Sequence, residues 1–194
     1  MKIQIKHFIP LAFLLAAGCL PVSIEPLYTD KDLILDPAIV GKWANPEDKE
    51  AWLFESAEGK AYGLSHTDGE GRVAQFKAHL LSLKGTRFLD IYPEDLGSEL
   101  NWLAACNLVP GHVFFKIEVS EDELRLVPMQ LEWLDNYLKA HPKAIAHKDL
   151  GQDDGRILIT ASTAALQKFV LKHAGNPEAF DSDNGLVLKK NPVQ

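Results

Sequence analysis

Between residues 40 and 129, in several separate stretches, the apolar positions recur every second residue, the spacing of strands that bury one face. In RVAQFKAHLLSL, Ala74, Phe76, Ala78 and Leu80 share one side, and Gln75, Lys77 and His79 share the other. HVFFKIEV repeats the pattern, with Val113, Phe115, Ile117 and Val119 opposite His112, Lys116 and Glu118. VGKWA (40–44), AWLFES (51–56), KAYGLSH (60–66), TRFLDIY (86–92) and LRLVPM (124–129) are further strand candidates. Between them stand AEG, Asp68-Gly69, Lys84-Gly85 and SEDE, turn residues that permit tight hairpins. The pattern predicts an antiparallel meander.

The period changes in two places. PEDLGSELNWLAAC (93–106) reads as a helical interlude, with Pro93 at a position the first helical turn tolerates. In the last third, QLEWLDNYLKAH places Leu131, Leu134, Leu138 and His141 on one helical stripe, flanked by Trp133 and Tyr137. STAALQKFVLKHAGNP makes a second helix, its stripe being Leu166, Phe169, Val170 and His173. Thr160 or Ser162 caps its start, and Gly175 followed by Pro177 ends it. RILIT (156–160) and GLVLKK (185–190) are short strands. The expected class is α+β, mainly β: a meander closed into a small barrel with two or three helices outside it. An antiparallel sheet with helices on one face is the alternative.

The N-terminus obeys a different pattern. Lys2 and Lys6 precede an apolar run, Phe8–Ala17, that Pro10 interrupts. It is shorter than the roughly 20 residues of a membrane-spanning helix and ends in small residues, as an export signal does. A cysteine follows at once, and LAAGC resembles the lipobox of bacterial lipoproteins, with Ala16 where Leu is commonest. The resemblance implies cleavage after Gly18 and a diacylglycerol on the sulfur of Cys19. Leu20 in place of Asp implies the outer membrane. The expected organisation is a signal peptide (1–18), a lipidated N-terminus and tether (19–37) broken by Pro21, Pro26 and Pro37 with some ordered contacts at its end, and one domain (38–194). Of the two cysteines, Cys106 then has no disulfide partner and reads as a small buried hydrophobe.

Charge narrows the partners. The chain has 20 basic and 27 acidic residues; without the two leader lysines, 18 basic residues remain and the balance is −9. No cluster of Lys and Arg offsets it, so nucleic acid is not an expected partner.

Gly41-Lys42-Trp43 at the first strand resembles the G-x-W of lipocalins and related calycins. It implies that Gly41 permits the turn leading into the barrel and that Trp43 plugs one end. The final-strand Arg that packs on this Trp in lipocalins is absent, Lys189 and Lys190 being the nearest substitutes. Aromatic residues on strands, Tyr62, Phe76, Phe88 and Phe115, become candidates to face an apolar ligand.

Signs of catalysis are few. The histidines outside the leader show no H-x-x-x-H or H-E-x-x-H spacing, so no metal, cofactor or catalytic residue is assigned. His141 and His147 straddle Pro142, His66 and Asp68 meet at a hairpin end, and GQDDG lacks the closing Glu of an EF-hand loop. YGLSH lacks the second glycine of a nucleophile elbow. Two readings of function follow, neither of them an enzyme; a third, a hydrolase with scattered catalytic residues, would need a His and a carboxylate to converge in a cleft. One is an envelope lipoprotein, held to membrane lipid by acylated Cys19, whose lipocalin-like domain binds a small apolar ligand. The other is an assembly protein whose partner docks on the helical third, with Trp133 and Tyr137 as anchors.

Overall fold

The computed structural model describes residues 20–45, 49–94, 108–150 and 156–191. Eight strands close into an antiparallel barrel: β2 (Gly41–Ala44), β3 (Ala51–Ser56), β4 (Tyr62–Thr67), β5 (Val73–Leu83), β6 (Thr86–Pro93), β7 (Val113–Val119), β8 (Glu123–Pro128) and β11 (Leu186–Asn191). Seven are consecutive neighbours, and β11 returns after the helices to close the ring between β8 and β2. Pairing at every edge leaves no exposed ladder. Alternation then dictates the interior. Trp43, Phe54, Leu64, Leu80, Leu89 and Leu126 are fully buried in one inner cluster that draws on every barrel strand.

The outward positions divide the wall in two. On β2, β3 and the start of β5 they face solvent or are half-buried; on the rest of β5 from His79 and on β6 they are covered or half-buried. Leu81, Leu83, Phe88 and Phe114 join a second core with helices α1 (Leu131–Ala140) and α2 (Thr163–His173), which supply Leu134, Leu138, Leu166, Phe169 and Val170. A small sheet of β1 (Val22–Ser23), β10 (Ile157–Ile159) and β9 (His147–Asp149) completes this outer layer. The expected mainly-β barrel with helices outside is the architecture observed. The third expected helix falls on residues outside those described, beyond Pro93, which itself ends β6.

Three local expectations change. The segment read as a tether is packed along its length: Leu27 is fully buried, Ile34 donates to the Leu80 carbonyl at 2.9 Å, and Leu33 bridges Leu81. Its prolines stop helix formation, but its leucines find a covered face of β5 and β6. Gly111 admits it, since a Cβ there would stand 2.2 Å from the Val22 side chain. The Asp68-Gly69 pair does not form a two-residue turn. The Asp68 carboxylate accepts from the Glu70 and Arg72 amides at 2.9 Å each, building a longer loop from an Asp side chain. Ser162 occupies the N-cap of α2 without a side-chain cap bond.

Candidate functional site

The barrel has unlike ends. At one, a 3-10 turn (Pro37–Ile39) leads into β2 and buries Ile39 in the inner cluster. Gly41 takes a φ of +126° there, a region side chains rarely adopt, so the turn into the barrel uses its missing Cβ. Trp43 is fully buried behind the turn and donates its indole N–H to the Ile39 carbonyl at 2.7 Å. The last strand supplies a cation. Lys190 pairs in register with Trp43 and holds Nζ 5.1 Å from its ring centroid, a cation–π contact. Asp36 ties this end together. Its carboxylate accepts from the Ala38 amide at 2.9 Å and from Arg87 at 2.6 Å, while its backbone bonds the Tyr62 hydroxyl. The Ala38 amide, aided by Arg87, holds the Asp36 carboxyl below the usual carboxylate range.

Access increases toward the other end. Trp43 and Leu124 are fully buried, whereas Phe76 and His66 are half-exposed and Ala74 is exposed at the top of β5. Trp43, Trp52, His66 and Ala74 occupy successive register positions on β2 to β5, hence one side of the wall. Beneath the half-exposed Phe76 lie the buried rings of Trp52, which pairs directly with Trp43, and Phe115, edge-on to each other at 6.1 Å. The mouth also has one polar device. The Glu50 carboxylate takes hydrogen bonds from Trp52 Nε1 at 2.9 Å and from His66 Nε2 at 3.1 Å. Burial by itself would raise the Glu50 pKa, yet these two donors outweigh it and the carboxyl lies below its usual range. With its Nε2–H on Glu50, the His66 ring is a fixed neutral or cationic donor to that carboxylate.

The four aromatic candidates thus separate. Phe76 and Phe115 belong to the inner cluster on the mouth side. Tyr62 is inside as well, but its hydroxyl is bound to Asp36 at the closed end. Phe88 is a correction: it faces outward and packs edge-on against Phe180 at 6.3 Å in the second core. His66 pairs with Glu50 and not with Asp68. Glu50 and Trp52 had not been singled out, although His66 shares the strand parity of Tyr62 and Leu64 and so belonged on the inner face. Cys19, Cys106 and GQDDG lie outside the described residues.

A comparison with family models, curated proteins and solved structures finds no match. The eight-stranded antiparallel barrel is consistent with a calycin-type fold.

A second polar cluster lies on the outer wall. Asp90 is fully buried on β6 and accepts from the Leu27 amide at 2.8 Å and from His112 Nδ1 at 2.6 Å. Tyr28 packs at a tilt on His79 with centroids 4.3 Å apart, and Tyr92 likewise on His112 at 4.7 Å. Burial, then Asp90 and Asp30, push the Tyr28 hydroxyl up to about 12, and burial lowers the pKa of His79. A carboxylate orienting an imidazole is half of a nucleophile-activating device. No hydrogen bond joins His112 to a hydroxyl among the described residues, so the dyad's visible effect is to fasten the N-terminal segment to β6. Trp133 and Tyr137 stack at 5.0 Å and contact Phe169 and His173 across the two helices. They are half-buried against the second core. Among the described residues, no group of three His, Cys, Asp or Glu side chains is placed to hold a metal, and no helix is long and apolar enough to cross a membrane.

Proposed function

We propose that this chain is an envelope lipoprotein, anchored through acylated Cys19, whose barrel binds a small amphipathic molecule at its mouth. The observation that supports the reading is the gradient of access along the inner face. The closed end is sealed by Trp43 and Lys190, and the inward side chains become accessible only around Phe76, His66 and Ala74. A site with an apolar wall and a few converging polar groups is the usual form of a small-molecule pocket. Here Trp52, Phe76 and Phe115 meet the apolar body, and the His66–Glu50 pair meets a hydrogen-bonding group. The large side chains below them limit the ligand to a shallow seat, as expected of an eight-stranded barrel.

The test is a fluorescence titration of the full chain, in nonionic detergent, with a naturally fluorescent polyene fatty acid. Saturable binding that falls about tenfold in Phe76→Ala and in His66→Ala supports the mouth as the site. Binding that is absent, or that neither substitution changes, overturns it. Anchoring is tested separately by Cys19→Ser, which should release the protein from membranes; retention at high salt contradicts the proposed attachment.

A further inference from the structure

A second concavity lies away from the mouth. A groove of about 1120 Å³ runs between α2 and the lower part of the β6–β7 wall, at the closed end of the barrel. Five cations line it, Lys84, Arg87, Lys116, Lys168 and Lys172, and Glu118 is the one acid among its lining residues. In a chain of net charge −7 this is a local reversal of sign. Like charges gathered on one wall repel unless each has a reason to be there.

Some do. Lys116 donates to the Ala174 carbonyl at 3.1 Å, where a cation suits the C-terminus of α2. Lys172 turns to the Tyr137 hydroxyl at 3.1 Å. Arg87 shares a carboxylate with Asp36, but its Nε is buried and has no hydrogen-bond partner among the described atoms. Lys84 and Lys168 have no carboxylate within ion-pair distance among the described residues. Lys84 sits in the two-residue turn between β5 and β6 with φ +49°, and Gly85 beside it has φ +87°. That hairpin holds Lys84 at a fixed place beside the groove rather than on a mobile loop. Ala164, Gln167, Lys168 and Leu171 recur at helical spacing and line the facing wall, in the half of the groove away from the α2 C-terminus.

We infer that this groove binds a multivalent oxyanion, a phosphate ester or polycarboxylate, between Lys84 and Arg87 of the barrel and Lys168 of α2. Lysine heads act as point charges on such a group, and Arg87 adds directional donors. Helix-dipole pairing accounts for Lys116 but not for Lys84, which belongs to a barrel turn. The site is independent of the mouth and of the anchoring proposal.

The experiment is calorimetric titration of the full chain in nonionic micelles at low salt. One arm uses inorganic pyrophosphate, and the other phosphatidic acid carried in the same micelles, so that a free anion and a lipid headgroup are told apart. Saturable binding in either arm, weakened at least tenfold by Lys84→Ala with Lys168→Ala and reduced by added salt, supports the inference. The control Lys77→Ala with Lys148→Ala removes the same charge from exposed sites elsewhere and should leave affinity within twofold. No saturable binding in both arms, or equal loss in the control, overturns it.

Discussion

The two halves of the barrel wall carry the same fold under different constraints. In β2 and β3 one face is buried and the other meets water or lies half-covered, as in a free-standing meander. In β6, Phe88, Leu89, Asp90 and Ile91 are buried in succession, because the interior lies on one side and the N-terminal segment and helices on the other. A one-sided strand declares its inner face through alternation. A two-sided strand has no polar side to mark it, as in parallel sheets covered on both faces. The inner core is thus set by strand parity, while the outer core depends on segments that join it from far along the chain.

The sharpest way to break this division is to remove its two keystones. Trp43→Ala should destabilise the protein by about 3–5 kcal/mol in chemical denaturation, and hydrogen exchange should quicken across all eight barrel strands. Asp90→Ala should lower stability by about 3 kcal/mol, since it strands His112 and the Leu27 amide in a buried setting. Its exchange pattern should differ: residues 22–34 and the small sheet open first, with β2 to β4 still protected. Equal loosening of both halves would show that inner and outer cores are one cooperative unit.

Acid should favour the same division. Burial depresses the pKa of His79, which faces Asp90, Lys77, His112 and Tyr28, and that of His173, which faces Lys172, His141 and the α1 aromatics. Protonation is then easier in the unfolded chain than in the folded one, so stability is full above the ordinary histidine value and falls as pH drops below about 6.5. Both histidines touch the outer layer, and unfolding midpoints followed between pH 8 and 5 should decline less in His79→Gln. The smallest effects belong to the closed end. Lys190→Ala and Tyr62→Phe should each lower stability by roughly 1 kcal/mol, through loss of the cation–π contact and of the Asp36 hydrogen bond. A larger loss for either would mean that the seal contributes more than its single contacts.

Much of this architecture was legible in the sequence. Strand positions followed from alternation, the helical stripes from their spacing, and the Gly41 turn with buried Trp43 from a three-residue resemblance. Phe88 was misplaced because its strand carries apolar residues on both faces, so parity offered no direction. The N-terminal segment was taken for a tether because prolines announce what a chain avoids, not what it packs against. The missing Arg was the right question, and Lys190 answers it from the register position opposite Trp43. The basic groove was out of reach: Lys84, Lys116 and Lys168 lie far apart in the chain, and net charge averages them away.

The packed N-terminal segment has a mechanical consequence. Leu20 rests against the inner cluster, and Ser23 exchanges backbone hydrogen bonds with His112, just before β7 at the mouth end. With the anchor proposed at Cys19, the slack between lipid and folded domain is one peptide unit, about 3.8 Å. On that proposal the domain would be moored rather than leashed: it would keep one pole toward the bilayer, with its mouth next to the headgroups and the basic groove turned away from them.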